Sequence, residues 1–179
     1  ELRKGDVAAL IIEPIQGKGV HMPPDGFLTA AAKLLHEHGA LLICDEVQSG
    51  FGRTGKFFAY QHEEVTPDIV TVAKALSGGF VPVGAMLATG PVFEKVYSSM
   101  DRVMVHSATF KGGVLAMTAG LAALQVLDDE NLVENAARTG AALRTALTTM
   151  AERFDVLADV RGRGLMIGLE FDKPSSLRA

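Results

Sequence analysis

The chain has 179 residues, 48% of them hydrophobic, and a formal net charge of -4 at pH 7. This composition fits a globular protein with a substantial core and excludes the basic surface that nucleic-acid binding requires. The longest uncharged run, residues 112–127, is too short and too rich in Gly and Ala to predict a membrane span. The one cysteine, Cys44, cannot form an internal disulfide, which favours a reducing compartment such as the cytoplasm.

The first half of the chain alternates short apolar runs with helical patterns, which is typical of an α/β fold with a mainly parallel sheet. The apolar runs predict four strands, at residues 6–12, 40–44, 69–72 and 81–88. Apolar residues recur at helical spacing between the first two runs, so a helix is predicted over residues 26–38.

The second half is mostly helical and ends in two apolar runs of strand length. Helices are predicted over residues 91–98, 113–127 and 130–154, and strands over 156–160 and 165–171. The helix at 130–154 is amphipathic and is expected to bridge two domains. No cluster of Cys and His has metal-ligand spacing, so no metal site is predicted.

Charged residues follow two of the predicted strands at the point where each strand ends. Asp45 and Glu46 follow the strand 40–44, and Lys74 follows the strand 69–72. Because ligand sites in α/β sheets form at the carboxyl ends of strands, Asp45 and Lys74 are expected at the same rim.

The surroundings of Lys74 suit a covalent cofactor better than a simple ion pair. Alanines flank the lysine and two glycines follow it, which leaves room for a flat ligand. A lysine at the end of an apolar strand is expected to be partly desolvated, as a Schiff-base lysine requires. Pyridoxal phosphate (PLP) also needs a carboxylate beside its ring nitrogen, and Asp45 meets that need.

The stretch from Ile43 to Gly79 resembles the signature of class III PLP-dependent aminotransferases. The resemblance rests on four segments, Asp45-Glu46-Val47-Gln48, Gly50-Phe51-Gly52-Arg53-Thr54-Gly55, Pro67-Asp68-Ile69 and Ala73-Lys74-Ala75-Leu76. It implies part of the mainly parallel PLP-transferase large domain of fold type I, plus the start of a C-terminal α+β small domain. The expected bounds are residues 1–127 and 128–179.

The resemblance also implies a role for individual residues. Lys74 would carry the cofactor as a Schiff base, and Asp45 would keep the ring nitrogen protonated. Val47 would pack on one face of the ring, while Gln48 would hydrogen-bond its phenolic oxygen. Thr109 would bond the phosphate of a neighbouring subunit, which implies a homodimer or larger assembly with shared active sites.

Substrate binding is assigned to Arg161 by the resemblance and to Glu13 by its position, where a simple strand-end charge is the alternative. Arg161 occupies the first arginine of a Val-Arg-Gly segment, where the fork of the guanidinium suits a carboxylate, and Glu13 ends the first strand. The family usually has a glutamate where this chain has Lys18, and its loop has one more residue before Val20. Family members are about twice as long, so the chain is expected to be a partial one that lacks the phosphate loop.

The implied reaction is transfer of an amino group from an amino acid, ω-amino acid or diamine to a keto acid. Two other functions remain open, a PLP-dependent aminomutase or decarboxylase, and a non-catalytic piece of such an enzyme. The run from Gly50 to Lys56 also fits dinucleotide and P-loop patterns. Both are disfavoured because Asp45 and Glu46 would repel phosphate and Phe57 replaces the magnesium-binding hydroxyl.

Overall fold

The structure is a computed structural model that describes residues 1–172. Its strands and helices are β1 (Ala9–Ile12), α1 (Phe27–Glu37), β2 (Leu41–Asp45), β3 (Ile69–Val72), β4 (Ala85–Ala88), α2 (Gly90–Val96), α3 (Val114–Asp129), α4 (Leu132–Ala151), β5 (Leu157–Arg163) and β6 (Met166–Phe171). Residues 173–179, the end of the predicted small domain, lie outside the described residues. Within residues 1–172, no helix is long and apolar enough to cross a membrane.

The first four strands form one sheet in the order β1-β2-β3-β4. β1, β2 and β3 run parallel, and α1 packs on β2 as the crossover between the first two. The parallel arrangement inferred for these three strands is therefore confirmed. β4 pairs with β3 in the antiparallel direction, a reversal that its sequence does not indicate.

β4 begins at Ala85, so the prediction of a strand from residue 81 is wrong at its start. Val81 is hydrogen-bonded to the turn that contains Lys74. The Ser77 hydroxyl donates to the Val81 carbonyl at 2.6 Å, and the Val81 amide is 3.3 Å from the same hydroxyl oxygen. Pro82 has no N–H to donate to a strand ladder, so pairing starts only beyond it.

The two faces of the sheet differ in how well they are covered. On one face, Leu42 and Cys44 of β2 are fully buried against Leu35 of α1. On the other face, Ile11 of β1 is 61% exposed and Met86 of β4 is 62% exposed. Residues 1–172 therefore complete one layer of the core and leave the second face of the sheet open.

α4 and the β5–β6 hairpin form a second unit that packs over the loops of the sheet. α4 crosses the hairpin so closely that an added Cβ at Gly140 would collide with the backbone of Gly164. Since β5 extends to Arg163, the prediction of a strand ending at residue 160 is wrong. Residues 161–163, which lie between the two predicted strands, pair with β6, and only Gly164 and Leu165 form the turn.

Candidate active site

The ends of β2 and β3 bring Asp45 and Lys74 to one rim of the sheet. Asp45 is the last residue of β2 and is the register partner of Thr71 in β3. Lys74 follows β3 by two residues and begins a short 3-10 turn, Lys74–Ser77. The predicted common rim is confirmed, because the two strands are parallel and adjacent in the sheet.

Lys74 is held in an uncommon backbone conformation. Its φ angle is 44°, in the left-handed region, which costs a non-glycine residue roughly 1–2 kcal/mol. Such strain persists only where surrounding contacts impose it, and it concentrates at functional sites. The Lys74 side chain is exposed, so the expected desolvation is not provided by residues 1–172.

Gln48 joins Lys74 to the loop that follows β1. Lys74 Nζ donates to Gln48 Oε1 at 3.0 Å, and Gln48 Nε2 donates to the Gly17 carbonyl at 3.2 Å. The Gly17 amide donates in turn to Glu13 Oε2 at 2.7 Å. Four residues from three strand ends are thereby connected in one series of hydrogen bonds.

Asp45 is half-buried, and its carboxylate shapes the turn that leads to Gln48. The Val47 amide donates to Asp45 Oδ1 at 3.0 Å and forms an Asx-type turn. The other carboxylate oxygen, Oδ2, does not take part in this bond. Val47 itself is half-buried. The sequence places these two residues correctly in the turn, while their roles toward a cofactor stay predictions.

Glu46 is fully buried directly behind this turn. Its carboxylate accepts from the Ser49 hydroxyl at 2.6 Å and from the Tyr60 amide at 2.8 Å. Burial raises the pKa of Glu46, against the opposing effect of these hydrogen bonds. Burial likewise raises the pKa of the Cys44 thiol to about 12, which makes this cysteine an unreactive part of the core.

A cavity of about 460 Å³ opens beside Lys74. It is lined by Val20, Val47, Gln48, Arg53, Lys74, Ala75, Leu165, Met166 and Ile167. Its wall therefore combines the sheet rim with the β5–β6 hairpin. Two cationic side chains line it and no carboxylate does, within the described part of the chain, so it favours anions.

Arg53 and the hairpin residues Leu165–Ile167 line the cavity, and the sequence interpretation did not identify them as candidates. Arg53 belongs to the Gly50–Gly55 segment of the resemblance, and its carbonyl accepts from the Leu165 amide at 3.0 Å. Its guanidinium has no carboxylate partner among residues 1–172. Its place in the phosphate-like glycine loop was the available signal, whereas the hairpin residues carried none.

Arg161 is engaged by other groups of the chain. Its guanidinium donates to Asp159, Glu170 and the Gly19 carbonyl, each at 2.7 Å. The carboxylates of Asp159 and Glu170 raise the pKa of Arg161. Arg161 is not among the residues that line the Lys74 cavity, so the structure does not bring these two predicted residues together.

Thr109 is also separate from the cavity lining. It lies in the exposed, irregular segment 103–113, whose backbone hydrogen bonds are local turns such as Lys111 N–H to the Ala108 carbonyl at 3.0 Å. Phe110 beside it is 90% exposed. The contact predicted for Thr109 is with another subunit, and it stays a prediction.

Two of the three glycines of the Gly50–Gly55 run lie against helix α4. A Cβ at Gly52 would approach Val133 of α4 to 3.1 Å, and one at Gly55 would approach Ala137 to 2.9 Å. Their φ angles of 83° and 86° also favour glycine. The close approach of α4 thus explains the last two glycines of the spacing that imitates a phosphate loop, while a Cβ at Gly50 would lie 2.8 Å from the Glu46 carbonyl oxygen.

Comparison with known proteins gives a consistent result over nearly the whole chain. Residues 1–178 match the family model described as aminotransferase class-III. The chain is 44% identical to the aminotransferase PigE of a Serratia species over 173 residues. Those residues are 96% of this chain but 20% of that protein.

Two solved structures show the same fold as the chain. An ornithine aminotransferase from Toxoplasma gondii, which has partial occupancy of PLP at its active site, superposes with a TM-score of 0.89 and 39% identity, covering 96% of this chain and 39% of that one. An (S)-enantioselective omega-transaminase from Thermomicrobium roseum superposes with a TM-score of 0.86 and 43% identity, covering 94% of this chain and 37% of that one.

The predicted fold type I architecture is confirmed by these superpositions. The chain spans about a fifth of the curated relative and about two fifths of the solved structures. The proposed boundary near residue 127 is not tested by them. On the match of the family model to residues 1–178, the chain belongs to the class III aminotransferase family.

Proposed function

We propose that the whole protein transfers an amino group from an amino acid, ω-amino acid or diamine to a keto acid. The observation that carries this proposal is the common rim of Asp45 and Lys74, with Gln48 bonded to Lys74 at 3.0 Å. An amine, a carboxylate and an amide at adjacent strand ends are the groups that a PLP-dependent transfer requires. The names of the relatives, an ornithine aminotransferase and an omega-transaminase, support the same reaction class.

The residues present fit PLP as the cofactor. The cavity beside Lys74, of about 460 Å³, is of the size class that holds small cofactors. Lys74 would hold the group covalently, and Val47 and Gln48, which also line the cavity, would contact the ring and its phenolic oxygen. Asp45 does not line this cavity, and we assign it to the ring nitrogen because it ends the adjacent strand. When bound, PLP supplies an electron sink that stabilises the carbanion left on the substrate.

The chain's own side chains supply the proton chemistry. Lys74 Nζ would take the proton from the α-carbon of the substrate and hold it for return, because the side chain is exposed and flexible. Asp45 places its carboxyl group at the rim, and the Val47 amide at 3.0 Å fixes one of its oxygens. Lys74 and Asp45 therefore have separate roles in this proposal.

Two arginines compete for the carboxylate of the substrate. Arg161 is the candidate from the family resemblance, but it would have to leave Asp159 and Glu170 to act. Arg53 lines the cavity and has no carboxylate partner within residues 1–172. We therefore favour Arg53 as the first contact of an incoming keto acid, with Arg161 as the second candidate.

The assembly and compartment are proposals of the same kind. Thr109 would reach the cofactor phosphate of a neighbouring chain, so the intact protein would be a homodimer or larger. The apolar, exposed side chains around Thr109 support a contact there. The single buried cysteine supports a cytoplasmic location.

Labelling of Lys74 tests the function directly. The intact gene product, loaded with PLP, should become irreversibly modified at Lys74 after borohydride reduction, as read by peptide mapping. An amino donor should then convert the unreduced protein to the pyridoxamine form in a half-reaction. Modification of a different lysine would contradict the proposal, while release of carbon dioxide or a shifted amino group would favour the decarboxylase or aminomutase.

A further inference from the structure

The hydrogen bonds from Glu13 to Lys74 point to a role for Glu13 other than substrate binding. We propose that Glu13 is a positioning residue that sets the orientation of Gln48 through Gly17, before any substrate is present. The inference rests on the proposed function, in which Lys74 and Gln48 both serve the cofactor. It also makes Gly17 a position at which the absence of a side chain matters.

The first step concerns the two ends of the Gln48 amide. Nε2 can only donate and Oε1 can only accept. Nε2 donates to the Gly17 carbonyl at 3.2 Å, which directs Oε1 toward Lys74 Nζ at 3.0 Å. With the amide reversed, oxygen would face oxygen at Gly17 and two donors would face each other at Lys74.

The second step concerns what holds Gly17. Glycine has more backbone freedom than any other residue, so its carbonyl needs an external constraint to keep one direction. Glu13 Oε2 constrains the peptide unit between residues 16 and 17 by accepting from the Gly17 amide at 2.7 Å, a short charge-assisted bond at a half-buried carboxylate. The Gly17 carbonyl belongs to the next peptide unit, which turns about the φ and ψ bonds of Gly17 and accepts from Gln48 Nε2. Glu13 thus fixes the backbone from which this carbonyl extends, and with it the place where the Gln48 amide is bound.

The third step concerns the space that Gly17 leaves. A Cβ at this position would lie 2.5 Å from Gln48 Oε1, 2.9 Å from Gln48 Cδ and 3.1 Å from Glu13 Oε2. Gly17 does not have a positive φ angle, so its backbone does not require glycine. The atoms in the way are the ends of flexible side chains, so a methyl group there would displace Gln48 at little cost to folding.

The experiment uses the intact gene product loaded with PLP, first without substrate and then in steady-state kinetics with an amino donor, which give its KM. Four variants are compared with the parent protein, Glu13→Ala, Glu13→Gln, Gly17→Ala and Gln48→Ala. Three quantities are measured: the pH midpoint of the cofactor absorbance change, the rate of cofactor release and the thermal unfolding midpoint. Glu64→Ala is the matched control, because it removes an exposed carboxylate remote from the cavity.

We expect Glu13→Ala and Gly17→Ala to shift the absorbance midpoint in the same direction as Gln48→Ala. Loss of one such bond should speed cofactor release about tenfold, given the usual strength of a charge-assisted hydrogen bond. The rate of cofactor release from Glu13→Gln should stay within about twofold of the parental rate, because the amide oxygen of Gln still accepts from the Gly17 amide. When Gln48→Ala is already present, adding Glu13→Ala should change neither the absorbance midpoint nor the rate of cofactor release any further.

Two results would overturn the inference while leaving the proposed function intact. Glu13→Ala with a parental absorbance midpoint and only a raised KM for the amino donor would place Glu13 in contact with substrate. A lowered unfolding midpoint with parental absorbance and release would show a structural role alone. If the parent protein does not bind PLP at Lys74, the proposed function fails and this inference falls with it.

Discussion

The sheet rim and the segment 103–113 differ in how completely residues 1–172 build them. At the rim, Asp45, Gln48 and Lys74 each have a hydrogen-bond partner within the chain, at 3.0 to 3.2 Å. In the segment, Met104 is 72% exposed, Phe110 is 90% exposed and the backbone bonds are local turns. The rim is assembled by its own contacts, whereas the segment presents apolar side chains that residues 1–172 do not cover.

This difference separates two kinds of functional group. The residues that we propose for the chemistry lie at strand ends, next to the buried acid Glu46. Thr109, which we propose reaches another subunit's site, lies in a segment that the contacts of residues 1–172 leave exposed. Substitutions in the two regions should therefore differ in whether they alter the reaction step or the retention of cofactor.

Asp45→Asn should give the largest effect on the rim. The Asn oxygen can still accept from the Val47 amide, so the turn and cofactor binding should survive. The lost charge should slow the half-reaction by roughly a hundredfold or more, as removal of one preorganised electrostatic group commonly does. Single-turnover kinetics with the intact, PLP-loaded protein measure this, beside the dissociation constant of PLP. An unchanged rate would remove Asp45 from the reaction.

Thr109→Ala should have a smaller effect, on cofactor retention. It would remove one hydrogen bond to a charged phosphate, typically about 1.5 kcal/mol or more, so PLP should bind roughly tenfold more weakly. Reaction at Lys74 should remain possible once the site is saturated. Equilibrium dialysis measures the affinity, and Thr109→Ser is the matched control because it keeps the hydroxyl.

Light scattering on the intact protein completes this test. A shared site requires at least a dimer, and we expect one, held in part by the exposed apolar residues near Thr109. A monomer that binds PLP normally would contradict the shared site and leave the assignments at the rim unaffected.

The rim could be predicted from sequence because its signals are local. Apolar runs that end at Asp45 and before Lys74 define the strands, and parallel strands bring their ends together. The reversal of β4, the length of β5 and the Gln48–Gly17 contact depend on tertiary packing, which sequence spacing does not contain. Arg53 was missed for the same reason, since only the docked hairpin turns its loop into a cavity wall.

The smallest expected effects concern Arg53 and Arg161, the two candidates for binding the substrate carboxylate. Arg53→Ala should raise KM for the keto acid by roughly fivefold with little change in kcat, because an exposed charge pair is worth about 1 kcal/mol. Arg53→Lys should recover part of the loss. Steady-state kinetics over a range of keto-acid concentrations measure the split between KM and kcat.

Arg161→Ala should act differently, because its three acceptors at 2.7 Å belong to the chain itself. The bond to the Gly19 carbonyl joins β5 to the loop after β1, so its loss should loosen the hairpin and lower the unfolding midpoint. A raised KM for Arg161→Ala with an unchanged unfolding midpoint would reverse the assignment. In that case the guanidinium exchanges Asp159 and Glu170 for the substrate carboxylate, and the hairpin is part of the binding site by its charge as well as by its shape.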